Sequence, residues 1–81
     1  MAKHTVKTIQ AMRDNKEIIT MLTAYDYPTA KKVNDSGIDT ILVGDSCAMV
    51  VHGHDNTLTA TMDMMILHCA AVARACDRTM V

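Results

Sequence analysis

Three consecutive apolar residues, Ile41, Leu42 and Val43, run without polar alternation into Gly44. A strand with one wet face alternates apolar and polar side chains. One without alternation is covered on both faces, as in a parallel sheet flanked by helices. This run therefore directs the chain toward an α/β fold. Asp45 and Ser46 follow the glycine at once. Ligands in parallel α/β folds bind beyond the carboxyl ends of the strands, so both residues stand where a site is expected.

The flanking sequence supplies the partners such a strand needs. Thr5 to Asp14 reads as a short helix, capped by Thr5 and with Val6, Ile9 and Met12 on one face. Ile18 to Thr23 is a β-branched apolar run that reads as a first strand. A helix then follows, with Asp26 as N-cap, Pro28 in its first turn, and Gly37 just past its end. Ile38 to Val43 makes the second strand. Met49 to His52 reads as a short extra strand or a piece of long loop, and Asp55 to Thr57 as a turn. Met62 to Thr79 has helical spacing at Met62, Met65, Ile66, Cys69, Ala73 and Cys76, with Thr61 as cap and Arg74 and Arg78 near its end. A third strand is expected to open at Met80 and Val81.

Two parallel strands do not make a stable sheet under three helices. A chain of 81 residues is also at the small end for burying a core of its own. The expectation is one partial α/β domain over residues 1–81, the opening of a larger one, with no second domain. With 8 Met and neither Phe nor Trp, its core is expected to be aliphatic and soft.

Charge and cysteine usage narrow the function classes. A net charge of −1 with both signs interspersed is not a nucleic-acid footprint, nor a basic membrane-binding helix. No apolar run approaches a bilayer span, and the N-terminus lacks the apolar core of a signal peptide. A cytoplasmic setting is expected. Cys47, Cys69 and Cys76 lack zinc-site spacing and read as free thiols in a reducing compartment.

On chemistry alone, Asp45 can ligate a divalent cation or move a proton, and Ser46 can hydrogen-bond a substrate oxygen. The simpler reading of both is a turn satisfying its own amides. Tyr25 and Asp26 stand at the same end of the first strand, Tyr25 as a candidate pocket residue and Asp26 chiefly as a helix cap. His52 and His54 would flank a small chelate in extended backbone, although two histidines do not complete a metal site. A hydrogen-bonded loop is the simpler reading there. His68 reads as an ordinary helix histidine.

Four segments, in order, add a resemblance: T-A-Y-D-Y at Thr23–Tyr27, L-V-G-D-S at Leu42–Ser46, G-H-D-x-T-L at Gly53–Leu58 and H-x-x-A-V-x-R at His68–Arg74. Together they resemble the ketopantoate hydroxymethyltransferase family along essentially the whole chain. The resemblance implies the N-terminal part of a (β/α)8 TIM barrel, with the first helix closing its bottom. It implies transfer of a one-carbon unit from 5,10-methylenetetrahydrofolate, the co-substrate, to 3-methyl-2-oxobutanoate, giving 2-dehydropantoate for pantothenate synthesis. It further implies Mg²⁺ held by Asp45, substrate contacts at Asp45 and Ser46, Tyr25 as a pocket residue, and a homo-oligomer, a decamer in the family. The catalytic base is expected beyond Val81, so this segment alone is expected to be inactive. The alternatives are a truncated or decayed non-enzymatic product, or another Mg²⁺-dependent carbon–carbon bond enzyme of the same barrel superfamily. The chain departs from the family pattern at Cys47-Ala48, where Leu-Gly is usual, at Thr59 for proline and at Ala75 for glycine. If the glycine serves a positive φ, Ala48 would carry strain of about 1 kcal/mol.

Overall fold

The computed structural model describes residues 3–81. The elements run α1 (Val6–Asp14), β1 (Met21–Thr23), α2 (Tyr27–Asp35), β2 (Thr40–Leu42), α3 (Cys47–Val50), a 3-10 turn (Thr57–Thr59) and α4 (Met62–Ala75). β1 and β2 pair in parallel, with Met21 opposite Thr40 and Thr23 opposite Leu42. Met80 adds a parallel bridge to Thr40. Its N–H donates to Asp39 O at 3.0 Å, and its carbonyl accepts from Ile41 N at 2.8 Å. The expected third strand thus opens on the other side of β2 from β1.

Side chains alternate across a strand, and α2 and α4 cover one face of the sheet. That face carries Ala24 and Ile41, which join Ala30 and Val33 of α2 and Val72, Ala75 and Cys76 of the α4 end in one buried cluster. The small alanines let helices and sheet approach closely. The cluster is aliphatic apart from Cys76, as expected, but no methionine belongs to it: alanine, valine and isoleucine fill it. Met21 and Leu42 lie on the opposite face and are 59% and 48% exposed. α1 buries none of its residues. It attaches at the amino end of the sheet, where His4 N–H donates to Arg78 O at 2.7 Å and His4 Nε2 lies 3.1 Å from Asp39 Oδ1.

Three boundaries differ from the sequence expectation, each for a tertiary reason. The strands are shorter than Ile18–Thr23 and Ile38–Val43. Ile18 is 86% exposed, and Thr20 and Asp39 spend their polar groups on each other (Thr20 N to Asp39 Oδ2 3.0 Å, Asp39 N to Thr20 Oγ1 3.0 Å). The short strand or loop expected over Met49–His52 is the end of α3 at Met49–Val50 and then a turn at Val51–His52, because the chain turns directly off Gly44: Cys47 N–H donates to Gly44 O at 3.2 Å and Ala48 N–H to Asp45 O at 3.1 Å. Ala48 is fully buried in this helix. The only non-glycine residue with positive φ among those described is Lys16, so the strain expected at Ala48 is absent. The last helix ends at Ala75 instead of Thr79. Cys76 is extended, at φ −107° and ψ 109°. Asn34 Oδ1 then accepts from Arg78 N at 3.1 Å and Thr79 N at 2.9 Å. Buried Asn34 reels the chain back onto β2.

Gly37 closes α2 at φ +91°, and a Cβ there would meet nothing within 4 Å. The cost of Gly37→Ala is therefore purely backbone strain. A loss of about 1 kcal/mol is expected, read as a lower urea midpoint; an unchanged midpoint would mean that this turn relaxes freely.

Candidate functional site

The carboxyl ends of β1 and β2 lie side by side, and the residues after them form one polar rim. After β1 the chain runs through Ala24, which is buried, to Tyr25, which is half-buried. After β2 it runs through Val43 and Gly44 to Asp45 and Ser46 in the turn leading to α3. Parallel pairing in register makes these two exits neighbours, and the Tyr25 hydroxyl and Ser46 Oγ form a hydrogen bond. Tyr25 and Ser46 are thus brought together. Asp45 is exposed beside them.

Asp26 follows a different path. Its carboxylate accepts from Thr29 N–H at 2.8 Å as the N-cap of α2. That hydrogen bond is the main cause holding its carboxyl below the usual range. A carboxylate spent on a cap is not aimed at a ligand, which matches the helix-cap reading.

The loop after α3 contributes what sequence reasoning did not assign. Gly53 has φ +76°, a left-handed turn that glycine takes without strain. His52, just before it, meets His68 of α4, with Nε2 to Nε2 at 2.9 Å and the rings edge-on. His68 Nδ1 lies 2.7 Å from the backbone oxygen of Tyr25. His52 therefore pairs across to α4 rather than with His54, and the chelate of His52 and His54 does not form. His68 ties α4 to the residue that holds Ser46. The available signal was the H-x-x-A-V-x-R segment, which opens on His68.

A hard divalent cation takes oxygen ligands, often one or two carboxylates with water and substrate oxygens filling the rest. Asp45 offers that donor chemistry in an accessible position. No group of three or more His, Cys, Asp or Glu able to hold an ion occurs among the described residues. Asp45 is thus a fit as one ligand of such an ion, not as a complete site. The cysteines are free, and burial raises the Cys76 thiol pKa. Among the described residues, no helix is long and apolar enough to cross a membrane.

The family model for ketopantoate hydroxymethyltransferase matches residues 3–81. A 3-methyl-2-oxobutanoate hydroxymethyltransferase of Rhodopirellula baltica is 57% identical over 77 residues, which are 95% of this chain and 29% of that protein. The protein of the same name from Staphylothermus marinus is 53% identical over 81 residues, the whole of this chain and 30% of that one. A mitochondrial 3-methyl-2-oxobutanoate hydroxymethyltransferase 1 of Oryza sativa is 55% identical over 91% of this chain and 20% of its own length. The chain spans less than a third of the length of these relatives.

Proposed function

The chain belongs to the ketopantoate hydroxymethyltransferase family, and from that premise we propose that it contributes the opening strands and helices of a (β/α)8 barrel that makes 2-dehydropantoate. The one-carbon unit would come from 5,10-methylenetetrahydrofolate and be joined to C3 of 3-methyl-2-oxobutanoate. The order of elements supports the barrel reading: two parallel strands with a helix between them, then α4, then a second parallel pairing at Met80. A barrel of this kind keeps its site at the carboxyl face of the strands.

The observation that carries the reading is the rim itself, with an accessible carboxylate at Asp45 next to the Tyr25–Ser46 pair. In this proposal Asp45 is a Mg²⁺ ligand. Mg²⁺, when bound, would draw charge from the keto oxygen and make the C3 proton easier to remove. Ser46 hydrogen-bonds the substrate carboxylate and orients the oxo acid. Tyr25 fixes the Ser46 rotamer, so that the serine does not have to be ordered on binding. Cys47 and Ala48, the next two residues, are fully buried and anchor the turn.

The test is a chimaera in which residues 3–81 replace the matching segment of the Rhodopirellula baltica relative. Formation of 2-dehydropantoate from 3-methyl-2-oxobutanoate and methylenetetrahydrofolate is followed with Mg²⁺ present. Retained turnover is expected. A folded chimaera that makes no product would overturn the proposal.

A further inference from the structure

The rim holds a second constellation that the transferase reading does not use, the His52–His68 pair. Its tautomers follow from its partners. The Tyr25 backbone oxygen can only accept, so His68 Nδ1, 2.7 Å away, carries a proton and donates it. In a neutral His68 ring the lone pair is then on Nε2. His52 Nε2 lies 2.9 Å from that nitrogen and must donate to it.

A histidine whose Nδ1–H is held by a backbone carbonyl, with Nε2 free to donate its lone pair, is the usual form of a metal-bound imidazole. His68 is already set in that form. The two Nε2 atoms are also near enough to share one ion. Two nitrogens bound at about 2.0–2.1 Å to one ion lie about 2.9 Å apart at a right-angle bite, and about 3.3 Å apart at a tetrahedral one. With the nitrogens 2.9 Å apart and the ring centroids 5.2 Å apart, the two Nε2 atoms face each other nearly in line, so an ion takes the place of the shared proton once each ring turns by about 35–45° to aim its lone pair at it. His52 then takes up its proton at Nδ1 through solvent, and no net proton is lost. His52 is exposed, which leaves the remaining positions open to water. The Asp26 carboxylate lies within electrostatic reach of His68 and adds a favourable negative field.

The geometry points to His52 and His68 as a two-imidazole site for a borderline divalent transition ion such as Zn²⁺, Ni²⁺ or Cu²⁺. Imidazole nitrogens favour these ions over Mg²⁺, so this site is chemically distinct from Asp45. It is independent of the proposed transferase activity. Through His68 and the Tyr25 carbonyl it joins the rim that holds Ser46, so an ion bound there stiffens that rim.

The probe is Ni²⁺, titrated into the folded chimaera with the Rhodopirellula baltica relative and followed by calorimetry and by the histidine ring NMR signals. One ion per chain is expected, with the signals of His52 and His68 broadened before those of His4 and His54. His52→Ala changes an exposed residue outside the core and is expected to weaken binding at least tenfold. Asp45→Asn is expected to leave it unchanged, and Mg²⁺ is expected not to compete. Equal binding by the His52→Ala chain, as thiol ligation by the cysteines would give, overturns the proposal. So does first broadening at His4 or His54.

Discussion

Asparagine in place of Asp45, placed in the chimaera with the Rhodopirellula baltica relative, is expected to lower kcat/KM at least about 100-fold. Losing a group that only orients a metal ligand already costs about 10–100-fold, and a direct carboxylate ligand should cost no less. Stability should stay within about 0.5 kcal/mol, because Asp45 is exposed and surface changes of this kind perturb folding little. The combination is diagnostic. A residue that only shapes the turn would lose stability and activity together. Ser46→Ala offers the contrast, since it removes one hydrogen bond to a charged group, an effect of about tenfold or somewhat more. It should appear mainly in KM, with Tyr25 losing its partner. An Asp45→Asn enzyme with unchanged kcat/KM at limiting Mg²⁺ would remove this aspartate from the metal site.

The parts of the fold that local chemistry decides were readable from residues alone. Thr5, Asp26 and Thr61 do cap the helices that follow them, and Gly37 does close α2 in the left-handed region. The unalternated run through Leu42 does belong to a parallel strand. The failures lie where a distant residue decides. Nothing near Cys76 in sequence stops the last helix; Asn34, forty-odd positions earlier, does so by capturing the amides of Arg78 and Thr79. Nor does spacing tell that His52 would seek His68, because that pairing depends on the turn at Gly53 and on where α4 lies. By position in sequence, Arg78 is a helix-end charge favouring the dipole. It instead donates to the carbonyls of Ile38 at 2.9 Å and Gly37 at 3.0 Å. At the site, the position of Asp45 and Ser46 on the rim followed from the strand rule, whereas the link of Ser46 to Tyr25 needed the register.

Asp39→Asn should have the largest effect on stability, about 2–3 kcal/mol at neutral pH. Asp39 is 8% exposed, and its two oxygens face two sets of donors. Oδ2 accepts from Thr20 N–H and Thr20 Oγ1, both at 3.0 Å. Oδ1 lies 3.1 Å from His4 Nε2 and 3.6 Å from Arg78 Nη2. This one carboxylate therefore joins α1, the approach to β1, the start of β2 and the segment after α4. An asparagine matches only one side. Turned one way, its NH2 meets the two Thr20 donors; turned the other, it faces the Arg78 guanidinium and is accepted only by an unprotonated His4 Nε2, so the charged acceptor is lost either way, at a cost of about 1–3 kcal/mol. The Thr20 amide, followed by the Thr20 hydroxyl and His4, holds the Asp39 carboxyl below the usual carboxylate range in the folded chain. The folded state thus binds fewer protons here than the unfolded one. The contribution is whole above about pH 4, the ordinary aspartate value, and fades as pH falls through the lower folded value. Urea titrations followed by circular dichroism at pH 7 and at pH 3 should show a wide gap between parent and variant at pH 7 and a narrower one at pH 3. A gap of equal width at both would mean that shape, not charge, holds Asp39 in place. No gap at pH 7 would mean that the four segments are joined by packing alone.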